Sequence, residues 1–206
     1  NVQVYTCMIL PGSELATPEE RKKWNLQTKF RILPRDFVKL DNGKIILETE
    51  EVIVRTDSLT FEEYVELRLL AFVLWITNIP IAYDAIIKLL QEYNVDVFDL
   101  YHKIMKTREG ASLGIRELFS KFRQSTIEEL WDSPEQIFEH YQNLNEYDKL
   151  LHEESGINVI QYHEAMARKS YMEEWTENLI RISYELISEK KHLDDNFEEK
   201  FRDVSN

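Results

Sequence analysis

The hydrophobic pattern changes period near residue 60. Before that point apolar residues alternate or run together in short stretches; beyond it they return at every third or fourth position. In NVQVYTCMIL, Val2 and Val4 alternate with polar residues and the run is then mostly apolar to Leu10. This predicts a strand over residues 2–10, ended by Pro11 and Gly12. Thr17, Pro18, Glu19 and Glu20 follow as a helix start. Thr17 is the cap, Pro18 takes the first helical position, and Glu20 completes a capping box. That helix is short and ends near Asn25. TKFRILP is strand-like. In FVKLDNGKIIL, Asp41, Asn42 and Gly43 separate two apolar runs. Asn-Gly supplies positive φ at low cost, so a hairpin is expected. EVIVRT alternates again.

Helices are predicted from Thr60 onward, where Thr60 and Glu63 form a second capping box. Phe61, Val65, Leu69, Phe72 and Ile76 lie on one face of the helix that follows. Pro80 is expected to start the next helix, to about Tyr93. Asp96 caps a third, Ser112 a fourth, and Ser133-Pro134 opens a fifth that runs to Ser155-Gly156. A long sixth carries Tyr171, Trp175, Leu179, Ile182 and Leu186 on one stripe. The stretch from His192 to Asn206 is a short terminal helix or a fraying tail. The fold class expected is α+β, predominantly α. A short β-rich segment, a barrel-edge strand plus a hairpin, precedes a multi-helix domain. The division falls at residues 1–57 and 58–206.

Charge sharpens that division. Residues 1–60 hold nine Lys/Arg and nine Asp/Glu, so the whole net charge of -13 lies beyond them. An acidic helical part disfavours nucleic acid and anionic membrane surfaces as partners. The longest apolar stretch, LRLLAFVLWITNIPI, is too short for a membrane span and contains Arg68. Cys7 is the one cysteine, which excludes an internal disulfide or a cysteine-rich metal site. A reducing cytoplasm is compatible with this, and the expected location is cytoplasmic.

Few constellations offer chemistry. Asp99 and His102 are three apart on a predicted helix, but a di-metal bundle needs such pairs on several facing helices, and no second pair is found. No metal ligands and no catalytic residues are assigned. Nucleophile elbows and phosphate loops are absent from the sequence. Trp75, Trp131 and Trp175 read as core aromatics. The opening stretch is different. A Gly-containing turn after a strand is where α/β folds place ligand loops. Gly12 lets backbone approach a ligand, Ser13 brings a hydroxyl, and Glu14 an acceptor. From Arg21 to Arg35 there are six basic residues and no acidic one. Such a run suits a carboxylate, a phosphate, an acidic face of the same protein, or plain solvent.

Three ordered segments carry a family resemblance. MILPGSE, then LQTKFRILPRDF, then EEVIVRTDSLTFEEYVELR resemble the C-terminal part of radical S-adenosylmethionine proteins that also carry an N-terminal cobalamin-binding domain. The matching residues are Leu10 to Glu14, Thr28 to Arg35, Glu50 to Val54, and Leu59, Phe61 and Tyr64. Ser13 stands where that family usually has Thr. The resemblance covers roughly residues 5–70. It implies that the chain enters at the last strand of a partial barrel. It also implies that the parent uses a 4Fe-4S cluster and S-adenosylmethionine, with cobalamin as a further candidate.

The cluster loop of that family needs three thiolates, and this chain has one, so no cofactor is expected in the chain itself. The implied function is a C-terminal accessory, substrate-shaping region, inactive alone. Pro11, Gly12, Ser13, Glu14, Arg31 and Arg35 are the binding candidates. The implied partners are the cobalamin-binding and barrel domains of the same parent chain. The alternative is a helical protein-interaction module without a small-molecule site. Convergence of Arg31 and Arg35 with Glu14 favours the first; pairing with acidic helices favours the second. A strand at residues 2–10 that has lost its neighbour is expected to pair with the hairpin, or with another copy to give a dimer.

Overall fold

The computed structural model describes residues 4–78, 82–190 and 196–205. The fold is α+β and predominantly helical. Strand β1 (Met8–Ile9) is followed by a 3-10 turn (Glu14–Ala16) and helix α1 (Pro18–Lys23). Strands β2 (Gln27–Lys39) and β3 (Ile45–Arg55) form the hairpin. Then come α2 (Phe61–Thr77), α3 (Asp84–Glu92), α4 (Val97–Thr107), α5 (Leu113–Glu128) and α6 (Pro134–Tyr141). The remainder is α7 (Leu144–Leu151), α8 (Val159–Ser170), α9 (Met172–Ser188) and α10 (Phe197–Ser205). Among the described residues, no helix is long and apolar enough to cross a membrane.

Contacts gather the chain into two compact units that follow different lines from a cut at residue 57. Among the described residues, one comprises Val4–Arg68 and Phe122–Tyr162; the other lies within Leu69–Lys121 and His163–Asn206.

The first unit holds the sheet, antiparallel with order β1-β3-β2. The predicted strand over residues 2–10 shrinks to Met8–Ile9, paired with Val52 and Glu51; residues 2 and 3 lie outside the described residues. β1 is an edge strand whose partner is β3 of the hairpin. The hairpin closes through Leu40 and Lys44, with Gly43 at φ +82 and Asn42 Oδ1 accepting from Lys44 N. Only the glycine is left-handed, so the turn is a three-residue loop with Gly last rather than a two-residue Asn-Gly turn.

Strand β2 is irregular. Ile32 faces Thr49 but Phe37 faces Leu47, so Leu33 to Asp36 bulge opposite Glu48 alone. Pro34 sits in this bulge, where no ladder donor is needed. Ile45 and Leu47 have one parity along β3, Val52 and Val54 the other. The strand thereby feeds two clusters. Ile32, Ile45 and Leu47 pack with Ile137, Tyr141, Tyr147 and Leu150 of α6 and α7. Val52 and Val54 pack with Tyr64 and Val65 at the start of α2.

In the second unit, α4 and α3 pack on α9, and α10 packs on α3. Trp175, Leu179 and Ile182 are fully buried, as their spacing predicts, but the stripe ends on Ile187 rather than Leu186. Residues 197–205 form a seated helix: Phe197 lies 5.4 Å from the Tyr93 ring and 5.5 Å from the Tyr184 ring. Trp75 is 41% exposed and donates to Glu164, so it is not a core residue. Trp131 is half-buried and non-helical, bridging to Phe30 through paired backbone bonds.

Helix caps explain most boundaries. Thr60 and Glu63 form the full reciprocal box: Glu63 accepts from Thr60 N at 2.8 Å and donates its own N–H to Thr60 Oγ1. The Thr17 box is half made. Thr17 Oγ1 accepts from Glu20 N, but the Glu20 carboxylate turns to Lys23 and Trp24. Asp96 caps α4 and Ser112 caps α5. The expected fifth helix divides into α6 and α7 because Asn143 caps a new start at Leu144. The expected sixth divides at Tyr171, whose backbone leaves the helical region. The predicted start at Pro80 lies outside the described residues; α3 begins at Asp84.

Gly156 closes the segment after α7 at φ +59, and a Cβ there would meet Leu150 Cδ2 at 2.5 Å and Ile32 Cγ2 at 2.9 Å. Both the backbone and the space exclude a side chain. Gly156→Ala is therefore expected to lower unfolding free energy by about 2–4 kcal/mol, read from the urea midpoint at unchanged slope.

Candidate functional site

The Pro11–Glu14 turn is built as its residue types require. Ser13 N donates to Leu10 O at 3.0 Å, and Gly12 has φ +79. Proline second and a left-handed glycine third are the signature of a type II turn. Pro11, Gly12 and Glu14 are exposed. The Ser13 Oγ is buried with no hydrogen-bond partner. Glu14 lends its backbone oxygen to Thr17 N and Oγ1.

The two arginines do not join this turn. Arg31, on β2, is largely buried, with 16% of its side chain exposed. Its Nε donates to Glu50, and its Nη1 to Glu129 Oε1 at 3.0 Å. Glu129 follows α5 and also accepts from Arg68 Nη2 at 3.2 Å. Tyr64 stands in the same cluster. Burial pushes its phenol pKa up, with Glu129 and Glu50 acting in the same direction. Burial opposes the Arg31 charge, but Glu129 and Glu50 outweigh it and hold the guanidinium more firmly protonated. Arg35 lies in the bulge at φ +70 with 82% of its side chain exposed. It meets Glu153 at 2.9 Å, and Glu153 is itself at φ +56. An exposed pair of this kind contributes little to stability.

Thus Pro11 to Glu14 form one turn, exposed at Pro11, Gly12 and Glu14 but with the Ser13 hydroxyl buried, contrary to its expected role; Arg31 belongs to an internal ion cluster, and Arg35 belongs to a surface pair. No hydrogen bond or ion pair among the described residues links Glu14 with either arginine.

Sequence spacing did not reveal Arg21. Its guanidinium grips both Glu51 oxygens, at 2.6 and 2.7 Å, and its Nε reaches Ala16 O. Glu51 also accepts from Thr28 Oγ1 at 2.6 Å. This bidentate pair fastens α1 and the segment after the Pro-Gly turn to β3. The partners are thirty positions apart, so no local pattern marks them.

In the other unit a cavity of about 600 Å3 opens between α4 and the end of α9. Asp99, His102, Lys103 and Lys106 line one side, Glu189 and Lys190 the other. Lys103 is paired with Glu189 at 2.8 Å and with Glu185 at 3.3 Å. The lysines sit in or beside the last turns of their helices, where the macrodipole favours cations. Opposite charges balance there, and no ligand class stands out. Among the described residues, no group of three or more His, Cys, Asp or Glu could hold a metal ion. The chain's single Cys7 does not fit a three-thiolate cluster cradle. No family model matches the chain, and no curated protein matches it.

Two measurements follow from these ion pairs. Glu129→Ala leaves two guanidinium groups short of a carboxylate and is expected to cost about 3–5 kcal/mol in urea unfolding. The Glu51 carboxyl is held below its ordinary value near 4.5 by the hydrogen bonds from Arg21. A depressed folded pKa gives stability above the unfolded value that is lost as pH falls through the folded one. The wild-type urea midpoint should therefore drop below about pH 4.5, and in Glu51→Gln that part of the acid slope should vanish.

Proposed function

We propose that this chain is a C-terminal accessory, substrate-shaping region of a radical S-adenosylmethionine iron–sulfur enzyme of the kind that carries a cobalamin-binding domain. The observation that carries this reading is the edge of the sheet beside the Pro-Gly turn. β1 is an edge strand, and Tyr5, Met8 and Leu10 around it are 79%, 41% and 61% exposed. Residues 4–10 contain no charge. Among the described residues β1 ends the sheet, and an uncharged edge strand of this kind suits pairing with another part of a sheet. The three ordered segments that resemble the family run through this same unit, and the turn that ends β1 is exposed where a ligand mouth would use it.

In this role the chain supplies a surface, not a reacting group. The cluster and S-adenosylmethionine would supply the radical chemistry from elsewhere in the parent. Pro11 and Gly12 shape the turn, Glu14 presents its carboxylate, and Arg35 offers an exposed guanidinium, while the Ser13 hydroxyl is buried and unavailable. Arg31 is unavailable, since freeing it breaks its links to Glu50 and Glu129.

A helical interaction module without a small-molecule site is the second reading. It is favoured by the pairing of Arg31 with Glu129 and of Arg35 with Glu153, both acids that follow helices. The test is anaerobic purification of the full polypeptide encoded by the gene. A three-cysteine loop, iron–sulfur absorbance and reductive cleavage of S-adenosylmethionine are the outcomes expected. A parent with neither loop nor cluster would sink the first reading and leave the second.

A further inference from the structure

We infer that Arg68, held by Glu129, is a latch that sets the position of the segment 4–10, which is exposed except at Thr6 and Ile9. Arg68 lies on α2, one turn after Tyr64, and its side chain is only 11% exposed. Its Nη2 donates to Glu129 Oε1 at 3.2 Å and its Nη1 to Thr6 Oγ1 at 3.3 Å. The same Glu129 oxygen accepts from Arg31, whose Nε is bound by Glu50 of β3. A continuous chain of charged contacts therefore runs from β3 through β2 and the end of α5 to α2, and its last link is the hydroxyl of Thr6.

That last link is the loosest. Arg21 and Glu51 are joined by two bonds of 2.6 and 2.7 Å. Arg68 makes two longer bonds to different partners, and its Nε, like the Tyr64 hydroxyl one turn away, is buried without a partner. The Arg68 Nε can only donate and finds no acceptor, and Thr6 is the acceptor that the guanidinium takes from the segment 4–10. Next to Thr6, Cys7 offers its carbonyl to Ile53 N at 3.0 Å, and two residue pairs of β1 complete the attachment. A two-residue strand is too short to hold an apolar segment in place alone. The buried Ile9 side chain anchors the far end of the segment, and the charge cluster provides a separate hold at Thr6 that keeps Tyr5, Met8 and Leu10 presented in one register. The latch does not depend on what eventually covers that edge.

Hydrogen exchange at the Ile53 amide tests this, with exchange of the 4–10 segment as a companion readout. Thr6→Val removes only the acceptor at a half-buried position and leaves every ion pair in place. It should speed Ile53 exchange about tenfold, the order expected for a lost hydrogen bond to a charged group. The Phe30 amide, bound to Trp131 O, should not change. Arg68→Met should act in the same direction, and the double variant should add little to either single change. Unchanged Ile53 exchange in folded Thr6→Val, or effects that simply multiply in the double variant, would overturn the latch. Thr6→Val alone decides the matter if Arg68→Met fails to fold.

Discussion

Glu129 holds two guanidinium groups at once, and the sheet-bearing unit is organised around that fact. A carboxylate removed from water is costly unless it is paired and hydrogen-bonded. Here Arg31 comes to it from β2 and Arg68 from α2, while Glu50 of β3 neutralises the far side of Arg31. Two positive and two negative groups thus meet where strands β2 and β3, helix α2 and the end of α5 come together. Each element must arrive in register for the cluster to close. Burial of Val52, Val54 and Val65 nearby supplies apolar driving force, which has no direction. The ion cluster adds direction: a one-residue slip of β2 would turn Arg31 to the other face of the sheet.

This constraint also decides what is left for recognition. An arginine that neutralises two internal carboxylates cannot serve a ligand without releasing them. Arg31 therefore belongs to the scaffold. What remains exposed is the Pro11–Glu14 turn, the apolar residues flanking β1, and Arg35 raised on a bulge at positive φ. A non-glycine residue at φ +70 is costly, and here the chain places two such residues, Arg35 and Glu153, against each other. The bulge is positioned by the residues behind it: Ile32 and Phe37 bracket it and pack into the cluster of α6 and α7.

The parts of this fold legible in the sequence are those encoded locally. Thr60 with Glu63, Asp96 and Ser112 mark helix starts because a side-chain oxygen two or three residues ahead of a free N–H has only one use there. The change from period two to period 3.6 gives the α+β class. Breaks at Asn143 and Tyr171 were missed because apolar spacing continues across them while the backbone turns. The candidate site was legible as residue types but not as geometry. Gly12 in a left-handed turn follows from Pro-Gly itself. The partners of Arg21, Arg31 and Arg35 are 30, 98 and 118 positions away, and no periodicity reports contacts of that range.

The basic run from Arg21 to Arg35 has its explanation in the same contacts. Read along the chain, a basic run from Arg21 to Arg35 stands far from an acidic C-terminal region, and this suggests a boundary or an anionic partner. In space the run is met largely by the chain's own acids. Arg21 is matched by Glu51, Lys29 by Asp132, Arg31 by Glu50 and Glu129, and Arg35 by Glu153. Three of these acids come from the segment 122–162, which belongs to the same compact unit as residues 4–68. The basic run is therefore the trace of a pairing in structure, while the acidic excess beyond residue 60 stays. Removing either segment would strand charges on the other, so the two stretches form one electrostatic unit although nearly a hundred residues separate Arg31 from Glu129. A phosphate or nucleic-acid partner would have to displace shielded carboxylates at Arg21 and Arg31, whereas the pairs of Lys29 and Arg35 are exposed. The segment 4–10, by contrast, carries no charge and exposes Met8 and Leu10.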